Sequence, residues 1–362
     1  MTTHTSTNRA ARRRTPSRLA AIAAPAAALA LLLSGCGTTA APSADSTETA
    51  AAEIAGCEAD TTKTSTGAVD LTDAFGREVT LDAPAKRVAV LEWQQIEDVI
   101  TLCVAPVAVA DADGFTTWDT AVELPEGATD VGSRQEPNLD ALFGTDPDLV
   151  IVEAYTAEDE IIGKLEKYGV PVLATKGADA KDPIANMRDT FSLIAEATGR
   201  EERAGVVLDE FDAHLAEAKG SLKDAGLETT DFVYFDGWID GGNVALRPFG
   251  QGSLVGEIGE ELGLTNAWTG DVDPAYGLGQ TDIEGMKAVG EATLLHTATE
   301  EKSEDEFAQA LETNPVWAAL PAVTEGRLLS FPTGIWTFGG PRSAQQIIDA
   351  YVSVLAGPAA GE

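Results

Sequence analysis

Two side chains in the stretch VGSRQEPNLDALFGTDPDLVIVEAY, Val131 to Tyr155, are of a type that could hold a ligand. Arg134 offers a planar fork of N–H donors suited to anionic oxygens. Tyr155 offers an aromatic face that covers apolar surface at little entropic cost. The intervening residues say where the two would stand. Pro137 ahead of Asn138-Leu139-Asp140 marks a helix start, because an Asn side chain can accept the orphan amide hydrogens of a first turn. Asp146-Pro147-Asp148 stops that helix, and Leu149-Val-Ile-Val152 is the continuous apolar run of a strand covered on both faces. In open parallel sheets, ligands bind beyond the carboxyl ends of the strands. Arg134 occupies one such loop and Tyr155 the next. Trp93, just past Leu91-Glu92 at the end of an earlier apolar run, is placed in the same cleft.

Catalytic constellations are not evident. The chain has three histidines, His4, His214 and His296, and His4 leaves with the leader, so few remain for a triad or a zinc hydrolase. No Gly-x-Ser-x-Gly elbow or P-loop occurs. Gly250-Gln-Gly-Ser-Leu-Val-Gly256 has the wrong glycine spacing for a dinucleotide loop, and it follows Arg247-Pro248-Phe249 rather than a buried strand. No enzymatic activity and no protein-held metal are therefore expected, and a secreted enzyme is the least supported alternative.

The elements that must position these residues alternate. Val69–Leu71 and Glu78–Leu81 flank Phe75-Gly76 as a hairpin. Strands at 87–91, 106–110, 149–152 and 170–173 then interleave with helices at 94–102, 139–145 and 158–168, which argues a parallel sheet with helices on its faces. Asp182-Pro183 opens a helical region, and after a break at Thr198-Gly199 residues 200–225 carry apolar side chains at helical spacing. About 25 residues of helix span roughly 37 Å, long enough for a strut. The second half repeats the first in outline, with strands at 231–235, 293–297 and 328–331 and helices at 253–262, 283–288, 304–311 and 345–355. The expected fold is α/β: two Rossmann-like lobes joined by a single long α-helix, with a cleft between them. The boundaries read as a leader 1–35, a flexible tether 36–66, an N-terminal lobe 67–182, a connecting helical region 183–226 and a C-terminal lobe 227–358.

The leader carries five arginines and no acid ahead of an apolar run from Leu19 to Leu33, and it ends Leu33-Ser34-Gly35-Cys36. This resembles a bacterial lipoprotein signal, which implies that Cys36 is lipidated and tethers the chain to the outer face of the cell membrane. Loss of those five arginines from 24 basic residues leaves 19 against 59 acidic ones, a formal charge of −40. Such a surface repels nucleic acid and anionic lipid, so contact with the membrane is expected only through the N-terminal lipid. Two cysteines remain, Cys57 and Cys103. Outside the cell they could pair; alternatively, Cys103 is a small buried apolar residue.

A family likeness runs through Ala85-Lys-Arg-Val-Ala-Val-Leu-Glu92, Pro106-Val-Ala-Val-Ala-Asp111, Val131-Gly-Ser-Arg-Gln-Glu-Pro-Asn-Leu-Asp140 and Pro147-Asp-Leu-Val-Ile-Val152. It continues through Leu262-Gly-Leu-Thr-Asn-Ala-Trp268, Asn314-Pro-Val-Trp317 and Trp336-Thr-Phe-Gly-Gly-Pro-Arg-Ser-Ala344. The chain resembles the ferric-siderophore substrate-binding lipoproteins of ABC importers, which include the ferric hydroxamate and ferric citrate binding proteins. The resemblance implies capture of a ferric siderophore for a permease dimer by a monomer, with no cofactor because the iron keeps its chelator's ligands. It places Arg134 and Tyr155 in the cleft, adds Tyr276 and Trp336 from the second lobe, and leaves Arg247 and Arg342 to supply second-lobe charge. It also implies that Asp140 and Glu284, one on each lobe, dock into the permease. Cobalamin or haem, both large flat ligands, are the alternatives within the same transporter class.

Overall fold

A computed structural model describes residues 54–297 and 302–357. The leader, Cys36 and the first part of the expected tether lie outside the described residues. None of the described helices is long and apolar enough to cross a membrane.

The N-terminal lobe opens with the antiparallel hairpin β1 (Val69–Thr72) and β2 (Glu78–Leu81), whose inward residues alternate with exposed ones. Its main sheet is built from β3 (Val88–Val90), β4 (Ala108–Val109), β5 (Thr129–Asp130), β6 (Leu149–Glu153) and β7 (Val172–Thr175). These strands are parallel in the order β5-β4-β3-β6-β7. Helices α1 (Trp93–Thr101), α2 (Ala112–Trp118), α3 (Leu139–Gly144) and α4 (Glu160–Glu166) connect them. The expected start of α3 is present: Asn138 accepts from the amide of Ala141 at 3.1 Å.

The C-terminal lobe contains β8 (Asp231–Asp240), β9 (Asn243–Phe249), β10 (Thr265–Asn266), β11 (Thr293–Thr297) and β12 (Leu328–Phe331). Its parallel order is β10-β8-β11-β12, and β9 folds back on β8 as an antiparallel partner. The region read as a helix at 283–288 is a short 3₁₀ turn at Gly285–Val289.

Two helices join the lobes. In α5 (Pro183–Thr198), Phe191 and Ile194 belong to the N-terminal core while Met187 belongs to the C-terminal one. The longer α6 (Glu201–Ala225) buries Ala204 and Val207 in the first core and Phe211, Ala218 and Leu222 in the second. This 25-residue helix is therefore a strut shared by both cores. The C-terminal lobe is completed by α7 (Leu254–Glu261), α8 (Lys302–Glu312), α9 (Pro321–Thr324) and α10 (Pro341–Ala356).

Order sets in before residue 67. Cys57 and Cys103 form a disulfide with their Cα atoms 5.7 Å apart, fastening the N-terminal segment to the end of α1. Arg200, buried at the α5–α6 break, pairs with Asp60 and donates to Thr64 Oγ1 at 3.0 Å and to the carbonyl of Leu102 at 2.8 Å. The amide of Lys63 donates to Glu202 at 3.0 Å. Residues 54–66, counted above with the tether, are thus packed against the N-terminal lobe, because a buried guanidinium needs these partners.

Candidate functional site

In each sheet the chain leaves the first strand in one direction and returns on its other side, so the switch points lie between β3 and β6 and between β8 and β11. Ligands of open α/β sheets bind beyond the carboxyl ends at such points. Glu92 follows β3, Glu153 ends β6 and Arg134 follows β5, so three charged side chains are brought to one edge. They line an open cleft of about 290 Å³ together with Tyr155, Arg247, Tyr276, Leu278, Trp336 and Phe338. Five of the residues singled out from sequence therefore meet: Arg134, Tyr155, Tyr276, Trp336 and Arg247. Their surroundings also include Glu92, Glu153 and Phe338, which the sequence reading did not single out. The signal for Glu153 was an acid closing the apolar run Leu149-Val-Ile-Val152; Phe338 stood inside the quoted Trp-Thr-Phe motif.

Arg134 is half-buried and rests on an aromatic bed. Its guanidinium carbon is 3.8 Å from the centroid of Trp93 and 5.8 Å from that of Trp336. It pairs with Glu92, and its Nε is 3.8 Å from Asp111.

Trp93 does not line the cleft. It is 5% exposed, its indole N–H donates to the carbonyl of Asp111 at 3.2 Å, and its ring meets Trp336 edge-on at 4.6 Å. The cause is α2, an element absent from the sequence reading, where a Cβ at Gly114 would overlap the Trp93 ring. Trp93 fills that gap and acts as the platform beneath Arg134.

Arg342 is a second correction. It sits at the start of α10 and turns to the strut, donating to Glu210 of α6 at 2.8 Å and to Gln345 at 2.9 Å. The acid on α6 draws it away from the cleft.

On the C-terminal side, Arg247 of β9 faces Asp236 of β8, donating through Nε at 2.8 Å and pairing also through Nη2. Its guanidinium lies 5.5 Å from Phe249 and 5.8 Å from both Phe338 and Trp238. Phe338 stands edge-on to Trp336 at 5.2 Å and to Tyr276 at 5.5 Å, so an aromatic run connects the two arginines. Trp238 is 43% exposed on the hairpin, and Tyr155 is 71% exposed on the opposite lobe. Trp118 packs on the N-terminal core, and Trp268 and Trp317 are buried in the C-terminal one, as packing residues.

The lobes touch across the cleft. The hydroxyl of Tyr276 donates to Glu153 at 2.7 Å, and a Cβ at Gly177 would overlap both groups. Burial and then the charge of Glu92 push the Glu153 carboxyl up to about 7, against the opposing pull of the Tyr276 hydrogen bond and Arg134. Burial and then Glu153 raise the Tyr276 phenol as well. Burial likewise raises Asp236 in spite of Arg247.

Asp140, in the first turn of α3, and Glu284, immediately before the 3₁₀ turn, are both exposed. Among the described residues, no group of three or more His, Cys, Asp or Glu side chains is arranged to hold a metal ion.

A family model for periplasmic binding proteins matches residues 88–333. The chain is 27% identical over 274 residues to the iron(3+)-hydroxamate-binding protein FhuD of Escherichia coli (strain K12), covering 75% of this chain and 88% of that one. It is 29% identical over 268 residues to the Fe(3+)-citrate-binding protein YfmC of Bacillus subtilis (strain 168), covering 74% and 79%. Among solved structures, the Fe3+–Desferal-bound siderophore binding protein FhuD from Vibrio cholerae matches with a TM-score of 0.65 at 23% identity, over 75% of this chain and 98% of that one. At that identity the structural likeness establishes the fold.

Proposed function

The chain belongs to the periplasmic binding protein family, and on that footing we propose that it captures a ferric siderophore outside the cytoplasm and delivers it to an ABC importer. One observation carries the reading: two guanidinium groups, one from each lobe, face a single open cleft and are joined by aromatic rings. A caged ferric chelate presents oxygens bearing negative charge on its outside and apolar linkers between them. Arginine forks donate to those oxygens in a water-poor cleft, and aromatic faces cover the linkers. The iron is cargo and keeps its chelator's ligands, so the protein needs no resident cofactor. The names of both relatives, one binding an iron(3+) hydroxamate and one an Fe(3+) citrate, support the same reading.

Membrane attachment and a permease partner extend it. Cys36 carries the lipid that holds a monomer at the extracytoplasmic face of the membrane. Asp140 and Glu284 dock the two lobes onto the permease dimer; the support is that both are exposed acids at the start of short helical segments, one on each lobe.

Tryptophan fluorescence tests the function directly, since Trp336 lines the cleft and Trp93 lies beneath Arg134. Titration with ferric hydroxamates, ferric citrate, haem and cobalamin should give saturable quenching by at least one ferric chelate. Quenching by haem or cobalamin alone would overturn the siderophore reading.

A further inference from the structure

The cleft is charged in a way that discriminates among chelates. Its two cations are already matched: Arg134 by Glu92 with Asp111 at 3.8 Å, and Arg247 by Asp236. Glu153 is then a surplus carboxyl, held in the cleft by Tyr276 at 2.7 Å and fitted there because residue 177 is glycine. The wider field reinforces it, since the chain has a formal net charge of −35.

The two main chelate chemistries differ in the charge they bring. Three monoanionic hydroxamates neutralise Fe(III), and a pendant amine makes such a complex cationic. Three dianionic catecholates leave a complex with three negative charges. We propose that Glu153 is a selectivity residue, whose carboxyl, shared with Tyr276 across the cleft, admits neutral or cationic ferric chelates and repels multiply anionic ones. This rests on the ferric-siderophore reading of the cleft.

The groups facing Glu153 are Glu92 at the start of α1, Arg134 in the loop after β5, Tyr155 in the loop after β6, and Tyr276 from the other lobe. Of these, Glu92 disfavours its ionisation, while Arg134 and the Tyr276 hydroxyl favour it. Discrimination therefore strengthens as pH rises through neutrality, where the carboxyl becomes charged.

The test is a binding titration of wild type, Glu153→Gln and Tyr276→Phe with ferrichrome, a neutral tris-hydroxamate, and ferric enterobactin, a tris-catecholate, at pH 6 and pH 8. Each variant is compared with wild type at the same pH, so changes in the chelates themselves cancel. Wild type should prefer ferrichrome by at least about tenfold at pH 8. Glu153→Gln should narrow that preference about tenfold, mostly through tighter ferric enterobactin binding, and by less at pH 6. Tyr276→Phe keeps the carboxyl but removes the donor that stabilises its charge, so the onset of discrimination should move to higher pH. An unchanged preference in Glu153→Gln overturns the proposal and leaves the siderophore reading standing. Failure of both chelates to bind wild type overturns the proposal, while the siderophore reading is decided separately by the quenching titration that includes ferric citrate.

Discussion

The carboxylate of Glu97 in α1 accepts a hydrogen bond of 2.6 Å from the hydroxyl of Ser343 in α10, a residue 246 positions later in the other lobe. The same carboxylate accepts from the amides of Gly340 at 2.8 Å, Arg342 at 2.8 Å and Ser343 at 3.0 Å. Glu97 thus satisfies the orphan amides at the start of a 16-residue helix that belongs to the opposite lobe. Glycine at 339 and 340 is required there, since a Cβ at either position would overlap Glu97 or Asp98.

Glu97→Ala leaves those buried donors unpaired and should cost about 3 kcal/mol in urea unfolding, net of relieved repulsion. Glu97→Gln should lie between, because its amide oxygen still accepts. Equal stability of Glu97→Ala and wild type would show that the tie contributes nothing.

Asp98 should make the protein less stable as pH rises. It is fully buried, both its carboxylate oxygens lack a partner, and Glu97 and Asp119 lie beside it. Burial, followed by the charges of Glu97 and Asp119, pushes its carboxyl well above the usual range. The folded protein then holds the proton more tightly than the unfolded chain, so stability falls as pH climbs above about 4. Asp98→Asn removes the charge, so thermal melting at pH 7 should rise by at least about 2 °C, with a flatter pH profile. A lower melting temperature for Asp98→Asn at pH 7 would contradict this.

Arg134→Ala should weaken chelate binding by about 10- to 100-fold in calorimetry, the loss expected for a charge-assisted donor. Arg134→Lys should recover little of it, since an ammonium cannot present a planar fork while lying flat on Trp93. Full affinity in the lysine variant would show that charge alone suffices.

Replacing Cys57 and Cys103 by serine opens a link across 46 residues. The chain-entropy account gives a loss of about 3–4 kcal/mol in denaturant unfolding. Chelate affinity should be unchanged, because the bond lies just past the C-terminal end of α1 and the cleft lies at its N-terminal end.

Charge reversal at the exposed acids, Asp140→Lys or Glu284→Lys, should abolish uptake of labelled ferric chelate by cells while purified protein binds it normally. Uptake at the wild-type rate in both variants would remove these residues from permease docking.

The parallel strands were readable because each is a short apolar run bounded by turn residues, as in Leu149–Val152. The missed elements carry weaker patterns. Helix α2 is Ala-Asp-Gly-Phe-Thr-Thr-Trp, poor in helix formers and preceded by Asp111 at φ 56°. Strand β9 contains Pro248 and two polar positions, and it is held mainly by its register with β8. The same reasoning limits the site. Arg134, Tyr155 and Arg247 are legible as cations and rings in loops or strand ends. Trp93 and Arg342 are not, because their direction depends on Gly114 in α2 and Glu210 in α6, distant partners that local pattern cannot supply.

The strut α6, buried in both cores, also bears on how an empty receptor differs from a loaded one. Swinging the lobes would require bending a continuous helix and parting Glu97 from α10, so the cleft is expected to behave as a standing mould rather than a trap. Ligand arrival should leave the radius of gyration in solution scattering within about 1 Å. On the proposed function, a permease docked on both lobes would have little displacement to sense. The sign of loading would then be the proposed chelate itself, filling the space between the two rims where exposed Tyr155 and Trp238 stand.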